Sequence, residues 1–121
     1  MSPAKRTSVQ FIGSSDLAEY LKGIAKANPT SVEVVSSRED KDAARQGLDI
    51  GFLWHVLVTI AETYSVLHMS HDIAKYLLAS KSKQLTAKTA VREVTIKVAG
   101  DATKEEVEQT VKAELDELFK S

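Results

Sequence analysis

Three histidines and a glutamate, His55, Glu62, His68 and His71, stand in the most apolar stretch of the chain, residues 51–80, GFLWHVLVTIAETYSVLHMSHDIAKYLLAS. Imidazole nitrogens and carboxylate oxygens are zinc ligands when they converge on one point. On a helix read through the stretch, His55 and Glu62 share one face and His68 and His71 another. Glu62 and His71 are nine residues apart, which at about 100° per residue puts them half a turn from each other. No HExxH motif is present and no two histidines are spaced i,i+4. The expectation is therefore no metal site, with His55 a packing residue and His68 and His71 on a polar face or at a helix junction.

Other chemistry finds as little purchase. The chain has no cysteine, which removes disulfides, thiolate ligands and cysteine nucleophiles. It has no GxSxG elbow and no P-loop. The GSSD stretch at residues 13–16 follows a strand, but one glycine is not a phosphate-binding loop, Asp16 opposes an anion, and Ser15 or Asp16 is explained as a helix cap. Glu105/Glu106 and Asp116/Glu117 belong to the wet face of an amphipathic helix. No catalytic residue and no cofactor is expected.

The elements that would position any site follow from periodicity. TSVQFIG (7–13) reads as a strand. Leu17, Tyr20, Leu21 and Ile24 then recur at helical spacing, with Asp16 and Glu19 at capping-box distance and Pro29 as the stop. SVEVVSS (31–37) reads as a second strand, parallel to the first across a right-handed crossover. Residues 36–49 are a polar loop or an exposed turn. In 51–80, Leu53, Val56, Leu57, Ile60, Tyr64 and Leu67 form one helical stripe, so a core helix is expected, either continuous or broken with Ser70 capping its second half. VREVTIKVAG (91–100) alternates as a strand with one wet face or at a sheet edge. Thr103 and Glu106 cap a last helix with the stripe Val107, Val111, Leu115 and Leu118. The order β-α-β-α-β-α predicts an α/β (α+β) two-layer sandwich, a three-stranded sheet with helices mainly on one face. Residues 1–121 form a single domain, with residues 1–6 a disordered N-terminus.

Length and charge narrow the partners. At 121 residues the chain is long enough for one real core. A spanning helix needs about 20 apolar residues, and the run from Ile50 to Ala61 is shorter, contains His55 and is ended by Glu62. No membrane span and no peripheral membrane contact is expected, and the cytoplasm is the expected location. Net charge is -1. Between Asp72 and Glu93 there is no acid, yet Lys75, Lys81, Lys83, Lys88 and Arg92 fall there. They make phosphate or nucleic-acid binding the alternative reading, although lysines also suit a helix C-terminus and no aromatics are interleaved for base stacking. The main expectation is a protein partner or self-association, through surplus apolar surface at Phe52, Leu53 and Trp54, with the Val94–Ile96–Val98 strand as a second interface.

The segments TSVQFIG, LAEYLKGIA, SVEVVSS, GLDIGFLWHVLVTIA, IAKYLLASKSK and REVTIKVAG, over about residues 7–100, resemble in pattern the effector-associated constant component family. Members are small proteins encoded beside bacterial conflict and defence effectors. The resemblance implies a non-catalytic adaptor and carries over no catalytic residue. Trp54, Tyr64 and Glu62 make the long segment bulkier and more polar than the family's, and the helix from Thr103 is an addition to its pattern.

Overall fold

The computed structural model describes residues 6–40, 53–61, 64–80 and 83–120. Their elements are β1 (Arg6–Gly13), α1 (Asp16–Ala27), β2 (Val32–Asp40), β3 (Leu53–Ala61), α2 (Val66–Ala79), β4 (Gln84–Lys88), β5 (Glu93–Lys97) and α3 (Lys104–Leu118). The expected disordered N-terminus lies outside these residues except for Arg6, with which β1 begins.

The strands form one five-stranded sheet in the order β2-β3-β1-β4-β5, with every neighbouring pair antiparallel. The first six elements trace the split βαβ plan of ferredoxin-like folds, to which β5 and α3 are appended. β1 and β2 run in the same direction, as the sequence predicts, but β3 lies between them. The α+β class and the helical layer on one face hold. The three-stranded sheet does not, because two strands were not expected.

The larger correction concerns the central apolar segment. Residues 53–61 are a strand, and only residues 66–79 are a helix. Val56, Val58, Thr59 and Ile60 are β-branched and fit a pleated sheet better than a helix. Val56, Val58 and Ile60 point into the core, while His55, Leu57 and Thr59 point to the other face. The period of two is hidden because Leu57 makes the second face partly apolar as well, and a continuous apolar run satisfies a helical stripe equally. β4 was hidden by its lysine-rich setting; only Leu85 and Ala87 point inward.

The inner face of the sheet, including Val9, Phe11, Val58, Leu85 and Ile96, is covered by three helices. α1 contributes Leu17 and Leu21, α2 contributes Met69, Ile73, Tyr76 and Leu77, and α3 contributes Val107, Val111, Leu115 and Leu118. α2 touches both α1 and α3, so it is the middle helix of the layer. At Gly13 the end of β1 meets α1 tightly: a Cβ there would lie 2.9 Å from Leu17 Cδ2.

Helix starts differ in how they are held. Ser15 occupies the N-cap of α1 without a side-chain cap bond, so the expected Asp16/Glu19 box is not formed. Asp16 Oδ1 instead accepts from Ser14 Oγ at 2.5 Å and from Tyr76 OH at 3.0 Å, tying α1 to α2. Ser65, not Ser70, caps α2: its Oγ accepts from the His68 amide at 3.1 Å. Ser70 is buried within the helix and donates to the Val66 carbonyl at 2.6 Å.

The box on α3 is complete. Thr103 Oγ1 accepts from the Glu106 amide at 3.2 Å, and Glu106 Oε1 accepts from the Thr103 amide at 3.1 Å. The hydrogen bond from the Thr103 amide, followed by the link to its hydroxyl, holds the Glu106 carboxyl below its ordinary value. The sign follows: a lowered carboxyl stabilises the fold above the ordinary carboxylate range, and this is lost as pH falls through the lowered value. Thr103→Ala is expected to cost about 1 kcal/mol in urea unfolding at neutral pH. The difference from wild type should shrink in acid, where the box is already weakened.

Candidate binding groove on the helical face

α2 presents two faces because its apolar residues recur at helical spacing. Met69, Ile73, Tyr76 and Leu77 go inward, which leaves Leu67, His68, His71 and Lys75 outward or at the flanks. Leu67 is 68% exposed, one of few large apolar side chains among the described residues left in water.

Toward α1, Asp72 is a hub. Its Oδ2 accepts from Tyr64 OH at 2.5 Å and lies 3.5 Å from His68 Nε2. Its backbone carbonyl accepts from Tyr20 OH at 2.6 Å. The Tyr64 and His68 rings lie 4.8 Å apart, and those of Tyr20 and Tyr76 lie 5.3 Å apart. Burial, and then the Asp72 charge, pushes the Tyr20 phenol up to about 12. Tyr64 is raised further, by burial first and then by its bond to Asp72. Both phenols are therefore fixed donors. Toward α3, His71 Nδ1 meets Glu108 Oε1 at 3.0 Å. Glu108 is thus engaged across the helix boundary, and Lys112 Nζ, four residues further along α3, sits 3.2 Å from Asp116.

Between α2 and α3 these residues line a groove of about 540 Å³, walled by Leu67, His68 and His71 on one side and Glu105, Glu108, Gln109 and Lys112 on the other. That volume is in the range of about 300–1,000 Å³ usual for ligand sites. A second opening of about 450 Å³ lies between α1 and α2, over Tyr20, His68 and Asp72. The histidine side chains of the larger groove are 49% and 45% exposed, so water reaches it freely. The hydroxyls of Ser65 and Ser70, which also line it, are engaged by the helix backbone. Among the described residues no group of three or more His, Asp or Glu side chains stands together as a metal ligand set.

The residues singled out in the sequence are dispersed. His55 lies on the outer face of the sheet, where its Nδ1 meets Gln10 Nε2 at 2.7 Å, far in the fold from the helical face that carries His68 and His71. Trp54 is partly buried against the core, Leu53 opens β3, and Phe52 lies outside the described residues. Val94 and Ile96 point inward under the helices, at 8% and 0% exposure, and Val98 is partly buried, so what β5 offers outward is its backbone edge. Of the basic segment, Lys83 closes α2, its Nζ donating to the carbonyls of Leu77 at 3.2 Å and Leu78 at 2.5 Å. Arg92 is held by Glu117 and the Lys120 carbonyl. Lys75 is exposed on α2 and Lys88 is exposed at the end of β4; Lys81 lies outside the described residues. Lys83 and Arg92 are thus committed to contacts within the fold.

Sequence reasoning missed Leu67, Glu105 and Glu108 as neighbours, and Asp72 as the partner of Tyr20 and Tyr64. One signal was available: with Ser65 as the cap, the stripe Met69–Ile73–Tyr76–Leu77 leaves Leu67 on the opposite side. Comparison with protein-family models, with curated proteins and with solved structures gives no match. Among the described residues no helix is long and apolar enough to cross a membrane.

Proposed function

We propose that the chain is a non-catalytic protein-protein interaction module, an adaptor, regulator or assembly subunit, that receives its partner or a second copy in the groove between α2 and α3. The observation that carries this reading is the exposed Leu67, set in a concave surface beside His68, His71 and Glu108, which neighbours already orient. An apolar anchor within a polar rim is the make-up of a docking surface. Catalysis finds less support: the groove is open to water, and its hydroxyls are occupied. The resemblance over residues 7–100 suits an adaptor of a bacterial defence system working in the cytoplasm, although one element of that pattern, the start of the apolar helix, is β3.

The alternative, phosphate or nucleic-acid binding through Lys75–Arg92, has weaker support. Lys83 and Arg92 serve the fold. The outer sheet face, where β1 and β3 of such a fold present aromatics for stacking on RNA bases, carries Ser8, Gln10, Ile12, Leu57 and Thr59, with no Phe, Tyr or Trp, and its one ring, His55, meets Gln10 at 2.7 Å.

The reading is tested with wild type and Leu67→Asp as paired baits in extract of the source cell, alongside the solution mass of each. The expected result is a stoichiometric partner, or a self-associated species, that wild type retains and the folded variant loses. Identical partners and identical mass for both proteins would reject the groove as the docking site.

A further inference from the structure

The docking reading leaves open what kind of segment the groove takes, and its charge is informative. α3 carries six carboxylates against two lysines in its sequence KEEVEQTVKAELDEL. Glu105 and Glu108 of this set line the groove. Glu106 is committed to the cap with Thr103. Lys112, the one cation among the described lining residues, is already paired with Asp116 at 3.2 Å. The facing wall, the start of α2, has no acid in its first turn and offers Leu67, His68 and His71, the last of which meets Glu108 at 3.0 Å. An acidic wall thus faces one that carries Leu67 and no carboxylate.

Resting on the docking reading, we propose that the occupant is a basic amphipathic segment of a partner protein, with lysine or arginine side chains against Glu105 and Glu108 and an apolar side chain against Leu67. An acidic segment would meet like charge along α3. A wholly apolar one would strip water from two carboxylates without replacing their interactions. A basic amphipathic segment satisfies both walls at once, in the manner of a helix laid into a groove. Its association should be steered by charge and weakened by salt.

The probe is a fluorescein-labelled peptide with lysines and leucines on opposite faces of a helical repeat, and a companion with glutamate for every lysine. Fluorescence anisotropy is read on wild type, on Leu67→Asp, on Glu105→Lys/Glu108→Lys, and on Glu93→Lys/Asp101→Lys. The last variant makes the same charge change at exposed positions outside the groove. Circular dichroism establishes that each variant is folded. The lysine peptide is expected to bind wild type and the Glu93/Asp101 variant alike, and to lose at least about tenfold in affinity on each groove variant. The glutamate peptide is expected not to bind. Equal loss on both charge-reversed variants would overturn the proposal, since binding would then follow net charge. So would binding of the glutamate peptide. If the lysine peptide fails while wild type still holds a Leu67-dependent partner, the partner's chemistry is wrong and the docking site stands.

Discussion

Val58→Asp is expected to leave the chain unfolded at neutral pH, whereas Leu57→Lys leaves it folded. The two residues are adjacent on β3 and point to opposite sides of the sheet. Val58 is 1% exposed, pairs with Val9 of β1 and Val34 of β2, and lies under the helical layer. A carboxylate there has no partner, and the effective penalty for burying an unpaired ion is several kcal/mol. Losing the valine burial adds about 1.5–3 kcal/mol. Against a total stability of roughly 5–15 kcal/mol for a small domain, that sum removes most or all of the native state. Leu57 lies on the outer face opposite Gln10 and Ser36, where a lysine can reach water at a cost of about 1 kcal/mol. Urea unfolding followed by far-ultraviolet circular dichroism reads both. A helix through this segment would put Leu57 in the buried stripe, and Leu57→Lys would then be the damaging change.

A second large effect is expected in alkali. All three tyrosines of the chain, Tyr20, Tyr64 and Tyr76, have phenols raised above their ordinary value of 10.0, in each case chiefly by burial. Asp72 adds to the shift of Tyr20 and Tyr64, and Asp16 adds to that of Tyr76, where hydrogen bonds from Ser14 and Ser80 pull the other way. For a raised group the stabilisation is whole below the unfolded value and is lost as pH rises through the folded one. The tyrosines' contribution to stability should therefore be flat up to about pH 10 and then fall, with Tyr20 resisting to about 12. Phenolate absorbance and circular dichroism, followed together, should show a folded protein with little phenolate at pH 10, then a joint transition. In concentrated guanidinium the same tyrosines should titrate near the ordinary value. Full phenolate at pH 10 in a protein still folded would contradict the network drawn around Asp72.

The legible parts of the sequence were those in which one face is plainly wet. α3 shows its stripe because Glu and Lys fill the intervening positions, and its Thr103–Glu106 box is local enough to read from spacing. β5 shows its alternation because Glu93, Thr95 and Lys97 separate Val94 and Ile96. β3 lacked that contrast, since Leu57 is apolar on the side away from the core and Ala61 is buried at the strand's end. β4 has only two inward residues, too few to mark a strand. The groove was harder still, because its contacts are long in sequence and short in space. His71 and Glu108 are 37 positions apart. Which of the histidines would meet a carboxylate depended on the start of α2, and Ser65 rather than Ser70 sets it.

The central claim is that the α2–α3 groove, and not the outer face of the sheet, is where this chain meets another protein. Amide chemical-shift mapping of the isotope-labelled chain, titrated with the lysine–leucine peptide, addresses it residue by residue. The changes should centre on Leu67, His68, His71, Glu105 and Glu108, with the outer-face positions Gln10, Ile12, His55 and Leu57 unmoved. Changes concentrated on those four sheet residues, with α2 and α3 silent, would contradict the account.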